Sequence, residues 1–140
     1  MKKKEIEMKK LVIMFATMFA LSTTSLANDV TFKNVKLKDR YTLTATSDRV
    51  ANCLRLTGKQ PYWTELYWSN FKDNMLKAYT ENNDEYVPYA VRNNLKRMKN
   101  ILTKKQYEIY RKIMIATLIN NNFIENEEKV PENLDFLEKL

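Results

Sequence analysis

The stretch Ile101-Leu102-Thr103-Lys104-Lys105-Gln106-Tyr107-Glu108-Ile109-Tyr110-Arg111-Lys112-Ile113-Met114 reads as a tight corner followed at once by a helix. Thr103 has the side-chain oxygen wanted at an N-cap, and Gln106, three residues on, can reach back to the backbone N–H of Thr103. Leu102 and Tyr107 flank that cap at the spacing of a hydrophobic staple. The same pattern occurs 46 residues earlier as Leu56-Thr57-Gly58-Lys59-Gln60. Two helix starts of one design are therefore expected, each cap contributing about 1 kcal/mol.

Working back from the corner, Val87, Val91, Leu95, Met98 and Leu102 form a helical stripe, with Asp84 or a residue just after it as cap and Pro88 in the first turn. So short a turn at 100–103 makes this helix and the next double back as a helical hairpin. Before it, a helix is predicted from Thr57 to about Thr80, with Trp63, Leu66, Tyr67, Phe71, Met75 and Tyr79 as its apolar face and Trp68 at the edge. Glu65, Ser69, Lys72, Asp73 and Lys77 lie opposite. Ser47 or Thr46 caps a short helix, Asp48 to Leu56, in which Cys53 falls among apolar neighbours. Residues 28–46 favour extended backbone, as a hairpin turning at Lys38-Asp39-Arg40 or as an arm that packs on the helices or frays.

Forward from the corner, the helix from Lys104 to about Asn121 should bury Tyr107, Tyr110, Ile113, Met114, Thr117 and Leu118. The Asn120-Asn121-Asn122 run suits a C-cap. Ile115 and Ile119 fall near Glu108 and Lys112, on the face that should be wet. Either the C-terminal segment covers them, with Pro131 starting a short helix that carries Leu134, Leu137 and Leu140, or they form a dimer or client surface. Between 92 and 112 there are eight Lys/Arg against one acid, whereas 125–138 carries six acids against one lysine. Contact between these two stretches, within one chain or across a dimer, would satisfy both. The expected fold is all-α: a four-helix arrangement over 47–124, an extended arm over 28–46 and an acidic C-terminal segment over 125–140.

The first 27 residues read as a secretory signal. A basic leader over Lys2 to Lys10 precedes a 12-residue apolar run, Leu11 to Ser22, and Ser25-Leu26-Ala27 places small residues for cleavage after Ala27. That run is short of the roughly 20 residues a membrane span needs. Without the leader the formal net charge falls from +7 to +4. An exported, periplasmic or secreted chain is expected, with no stable membrane span after cleavage. Cys53 is the sole cysteine, so no internal disulfide can form.

With no His, one Cys and one Gly, the chain lacks the parts of nucleophilic triads, histidine metal sites and phosphate loops. Glu125, Glu127 and Glu128 lack the spacing of a calcium loop. No enzyme activity, cofactor or metal is expected, and export argues against nucleic acid as the target of the basic stretch.

The paired LTGKQ (56–60) and LTKKQ (102–106), in a small exported helical chain, resemble the LTXXQ family of periplasmic proteins, which includes the Spy and CpxP chaperone-like group. The stretch QYEIYRKIMIATLINNNF (106–123) also resembles small exported bacterial proteins that share this helical layout. The resemblance covers roughly residues 48–123. It implies a non-enzymatic, often dimeric protein that binds unfolded clients through mixed basic and apolar surface. Carried over, it implicates Arg92, Lys96, Lys99 and Arg111, with Ile115 and Ile119 as apolar neighbours. Leu56, Thr57, Gln60, Leu102, Thr103 and Gln106 would be structural. A small helical adaptor for one envelope or secreted partner is the alternative expectation.

Overall fold

The computed structural model describes residues 38–139. The leader and its cleavage site, residues 28–37 of the arm, and Leu140 lie outside the described residues. The chain is all-α: α1 Ser47–Leu54, α2 Gln60–Thr80, α3 Tyr86–Ile101, α4 Lys104–Asn120, a 3-10 turn at Glu132–Leu134 and α5 Phe136–Lys139. α1 packs on α2 and α4, α2 on α3, and α3 on α4, so the first four helices close a ring. Among the described residues no helix is long and apolar enough to cross a membrane.

The ring's interior is centred on α4. Tyr107 and Tyr110 are buried, and the six consecutive residues Ile113 to Leu118 are buried together. Six in a row leave no wet face over 113–118, so this half of α4 must be covered on every side, whereas Lys104, Lys105 and Glu108 in its first turns are exposed. This corrects the amphipathic reading of α4: Ile115 is only 7% exposed. α3 keeps its expected stripe, with Val87, Val91, Leu95 and Met98 buried. Doubling back at the corner brings α3 and α4 together, where buried Asn94 accepts a hydrogen bond from the Tyr110 hydroxyl. The Asn94 amide also donates to the Tyr67 carbonyl at 3.2 Å, so one side chain ties α2, α3 and α4. Burial pushes the Tyr110 hydroxyl well above the ordinary tyrosine range.

α2 is rotated from the expected orientation. Its buried residues are Thr64, Trp68, Phe71, Met75 and Ala78, a stripe at i, i+4, i+7, i+11 and i+14. Trp68, expected at the edge, is 2% exposed and donates its indole N–H to the Ala45 carbonyl at 2.9 Å. Trp63, Leu66 and Tyr79, expected inside, are instead exposed. A fully buried apolar side chain contributes roughly 1.5–3 kcal/mol. The bulky Trp68, with a carbonyl to receive its N–H, takes the interior place that Trp63 was expected to hold.

The arm contributes to the core. Lys38–Arg40 form a helical turn, and 42–46 run extended, with Tyr41, Leu43 and Ala45 buried and Thr42 and Thr46 exposed. This is strand-like alternation laid on helices; no strand forms among the described residues. The end of α4 fastens it, since Asn121 donates to the carbonyls of Arg40 and Thr42, both at 3.0 Å. Asn122 takes the left-handed conformation (φ 63°) expected of the asparagine run. Thr46, not Ser47, caps α1 by accepting from the Arg49 N–H. Glu85, the residue just after Asp84, is the N-cap of α3 and makes no side-chain cap bond, while the Asp84 carboxylate accepts from the Tyr41 hydroxyl. Cys53 is half-buried, and burial pushes its thiol up, away from the reactive thiolate.

Candidate functional site

The two LTXXQ stretches meet. In the second, Thr103 and Gln106 form the full capping box: the Gln106 N–H donates to the Thr103 hydroxyl at 3.1 Å and the Thr103 N–H to Gln106 Oε1 at 2.9 Å. In the first, the Thr57 N–H donates to Gln60 Oε1 at 3.1 Å, but the Gln60 N–H finds the Thr57 carbonyl, also at 3.1 Å. Gly58 is the reason. Its φ of +60° turns the chain into a β-turn, and α2 begins only at Gln60, after Lys59. The expectation that Thr57 opens α2 is corrected accordingly.

Each glutamine then reaches across to the other stretch. Gln60 Nε2 donates to Gln106 Oε1 at 2.8 Å and to the Ile101 carbonyl at the end of α3 at 2.9 Å. Gln106 Nε2 donates to the Leu54 carbonyl at the end of α1 and to Gln60 Oε1, both at 3.4 Å. One amide per stretch therefore binds the start of its own helix, the end of the opposite preceding helix, and its counterpart. Leu56 and Leu102 are half-buried against the core beside them. The six motif residues form a clasp that joins the halves of the ring.

A second cluster, outside the core, collects the side chains that α2 turns outward. Tyr62 is 64%, Trp63 38% and Leu66 47% exposed. The Trp63 ring stacks on Tyr67 with centroids 5.9 Å apart and meets the Tyr62 ring edge-on at 5.1 Å. The Arg97 guanidinium of α3 lies over the other end of the row, 5.5 Å from the Tyr67 centroid. The result is a ledge of three contiguous rings ending in a cation, with Leu66 one helical turn along. Sequence reading missed it as a surface because the same residues make an acceptable core stripe; the competing period through Thr64, Trp68, Phe71 and Met75 was the available signal.

The residues carried over from the resemblance do not form one open patch. Arg92, Lys96 and Lys99 are exposed on α3, joined by the exposed Tyr89 at i, i+3, i+7 and i+10. The Lys99 ammonium lies 5.6 Å from the Tyr107 ring centroid. Arg111 is half-buried and donates to the Glu138 carbonyl at 3.3 Å. Ile115 is buried and Ile119 half-buried. The C-terminal segment lies on this side of the ring, with Leu134 and Leu137 buried and the Arg92 guanidinium 5.7 Å from the Phe136 centroid.

Among the described residues no three His, Cys, Asp or Glu side chains are grouped to hold a metal ion. A cavity of about 360 Å³ lies at the far end of α2, lined by Tyr41, Ala78, Tyr79, Thr80 and Asn82. No family model matches the chain, and no curated protein or solved structure matches it either.

Proposed function

We propose that this is an exported, non-enzymatic protein-binding module of chaperone-like or envelope-stress character, with the aromatic ledge of α2 as its apolar contact surface. The observation that carries the reading is the exposure of Tyr62, Trp63 and Leu66 together on one turn of a helix whose other face is fully packed. Contiguous exposed apolar side chains beside cations mark protein-contact surfaces, and aromatic and arginine side chains dominate the energetics of such surfaces. Arg97, Arg92, Lys96 and Lys99 supply positive charge on the neighbouring helix for acidic groups of a client. No cofactor or nucleic acid enters this reading.

A second reading, a dedicated adaptor for one partner, is favoured by the make-up of the ledge, which holds aromatic rings and no methionine. Surfaces that accept many clients rely on flexible methionines, and Met75, Met98 and Met114 are all in the core. One assay separates the two. The chain from Asn28 onward should slow aggregation of an unrelated unfolding protein at stoichiometric ratios. Trp63→Ser with Leu66→Ser should weaken protection several-fold while the melting temperature holds, and Arg92→Glu with Lys96→Glu should weaken it less. No protection at several-fold excess would end the chaperone-like reading. One dominant species captured from the envelope fraction, lost on the ledge substitutions, would establish the adaptor.

A further inference from the structure

The clasp sets four helix ends side by side. Gln60 at the start of α2 reaches the Ile101 carbonyl closing α3, and Gln106 in the first turn of α4 reaches the Leu54 carbonyl closing α1. The stretches 55–66 and 97–108 that meet there carry six Lys/Arg against Glu65 and Glu108. Residues 38–139 hold 17 Lys/Arg and 14 Asp/Glu in all, so away from the clasp the acids are in slight excess. The positive charge of the described chain is therefore gathered at one end of the ring. Arg55, Lys59, Lys99, Lys104 and Lys105 are exposed there, and Arg97 lies over the Tyr67 ring. The ledge stands at the same end. Lys59 precedes Tyr62 and Trp63 by three and four residues, and Leu66 follows them by four and three, so cation and exposed apolar side chains share the opening turns of α2.

We propose that the clasp end docks the protein peripherally on an anionic lipid bilayer, with its cations against headgroup phosphates and Tyr62, Trp63 and Leu66 in the interfacial layer. Charge complementarity points to that partner. The five exposed cations come from the ends of four different helices, an arrangement that suits a dispersed field of negative charge better than one acidic group. Four of the five are lysines, compact hydrated charges on long stems that reach a headgroup plane without a fixed geometry. Exposed tryptophan and tyrosine beside Lys and Arg are the side chains that settle at a membrane–water boundary. Three apolar side chains on one helix insert shallowly, so the binding leans on charge and weakens as salt rises. This goes beyond the protein-binding reading by giving the ledge a lipid surface as a second occupant, and it does not require that the chain protect clients.

The test mixes the chain from Asn28 onward with vesicles of phosphatidylcholine alone, or of an equal mixture of phosphatidylcholine and phosphatidylglycerol. The protein should sediment with the mixed vesicles at low salt, stay free of the neutral ones, and be released as salt is added. Trp63 supplies its own signal. The only other tryptophan, Trp68, is already 2% exposed, so a blue shift of emission on binding belongs to Trp63. Trp63→Phe should abolish the shift and keep most of the binding. Lys104→Glu with Lys105→Glu should weaken binding roughly tenfold or more. Lys38→Glu with Lys77→Glu, the same change in net charge toward the far ends of α4 and α2, should weaken it much less. No sedimentation with the mixed vesicles, equal losses from the two charge reversals, or binding without the Trp63 shift would each overturn the proposal. Binding to polyglutamate with none to vesicles would assign the corner to an acidic protein and overturn it too. Vesicle binding is read without any client, so a failed aggregation assay leaves it standing, and the reverse.

Discussion

The two LTXXQ stretches share leucine, threonine, a lysine and glutamine, yet only one is a capping box. In Leu102–Gln106 the threonine hydroxyl receives the glutamine N–H; in Leu56–Gln60 the threonine carbonyl does. One residue separates the outcomes. Lys104 takes the first helical position, whereas Gly58 occupies left-handed space and delays the helix to Gln60. What both copies keep is the glutamine side chain, its Oε1 on the threonine N–H and its Nε2 reaching the other copy. The shared role of the two stretches is thus the clasp between them, and the N-cap is an addition that one copy retains.

The sharpest way to break the comparison is to remove the glutamines. Gln106→Ala strips partners from the Thr103 N–H, from Gln60 and from the Leu54 carbonyl, so it should cost about 2–3 kcal/mol. Gln60→Ala should cost a similar amount, because it strips partners from the Thr57 N–H, the Ile101 carbonyl and Gln106. Denaturant midpoints of the singles and the double should give a coupling of about 1 kcal/mol. Additive losses would mean that the two amides act separately.

Gly58 comes next. Gly58→Ala meets no atom within 4 Å, so its cost is backbone alone, about 1–2 kcal/mol for forcing an alanine into left-handed space. A smaller loss, with Thr57→Ala then costing about 1 kcal/mol in the Gly58→Ala background, would mean that the first copy had adopted the box of the second. The smallest effects should separate the threonines. Thr103→Ala should cost about 1 kcal/mol and Thr57→Ala less than about 0.5 kcal/mol, since only the first hydroxyl accepts a bond from its glutamine. Equal losses by thermal melts would erase the distinction.

Much of the ring was legible before any coordinates. The α3 stripe, the Thr103 box, the left-handed asparagine after α4 and the buried set of α4 all follow from rules spanning one or two helical turns. The basic residues of α3 were also found; of the residues carried over as a partner-binding set, Arg111 is half-buried with its guanidinium on the Glu138 carbonyl, and Ile115 is buried. α2 was misread because its sequence supports two apolar stripes at helical period. Periodicity identifies an amphipathic rod but cannot rank two faces that both carry aromatics.

Local chemistry written in the chain therefore decided where most helices begin and end and which class of fold results. Tertiary packing decided which face of α2 turns inward, that an extended arm and the C-terminal segment would complete the cover of α4, and that two glutamines 46 residues apart would bond. The physical reason is range. Caps and stripes are set by neighbours within about a turn of backbone, whereas burial and a hydrogen bond between distant amides depend on which surfaces the whole chain brings together.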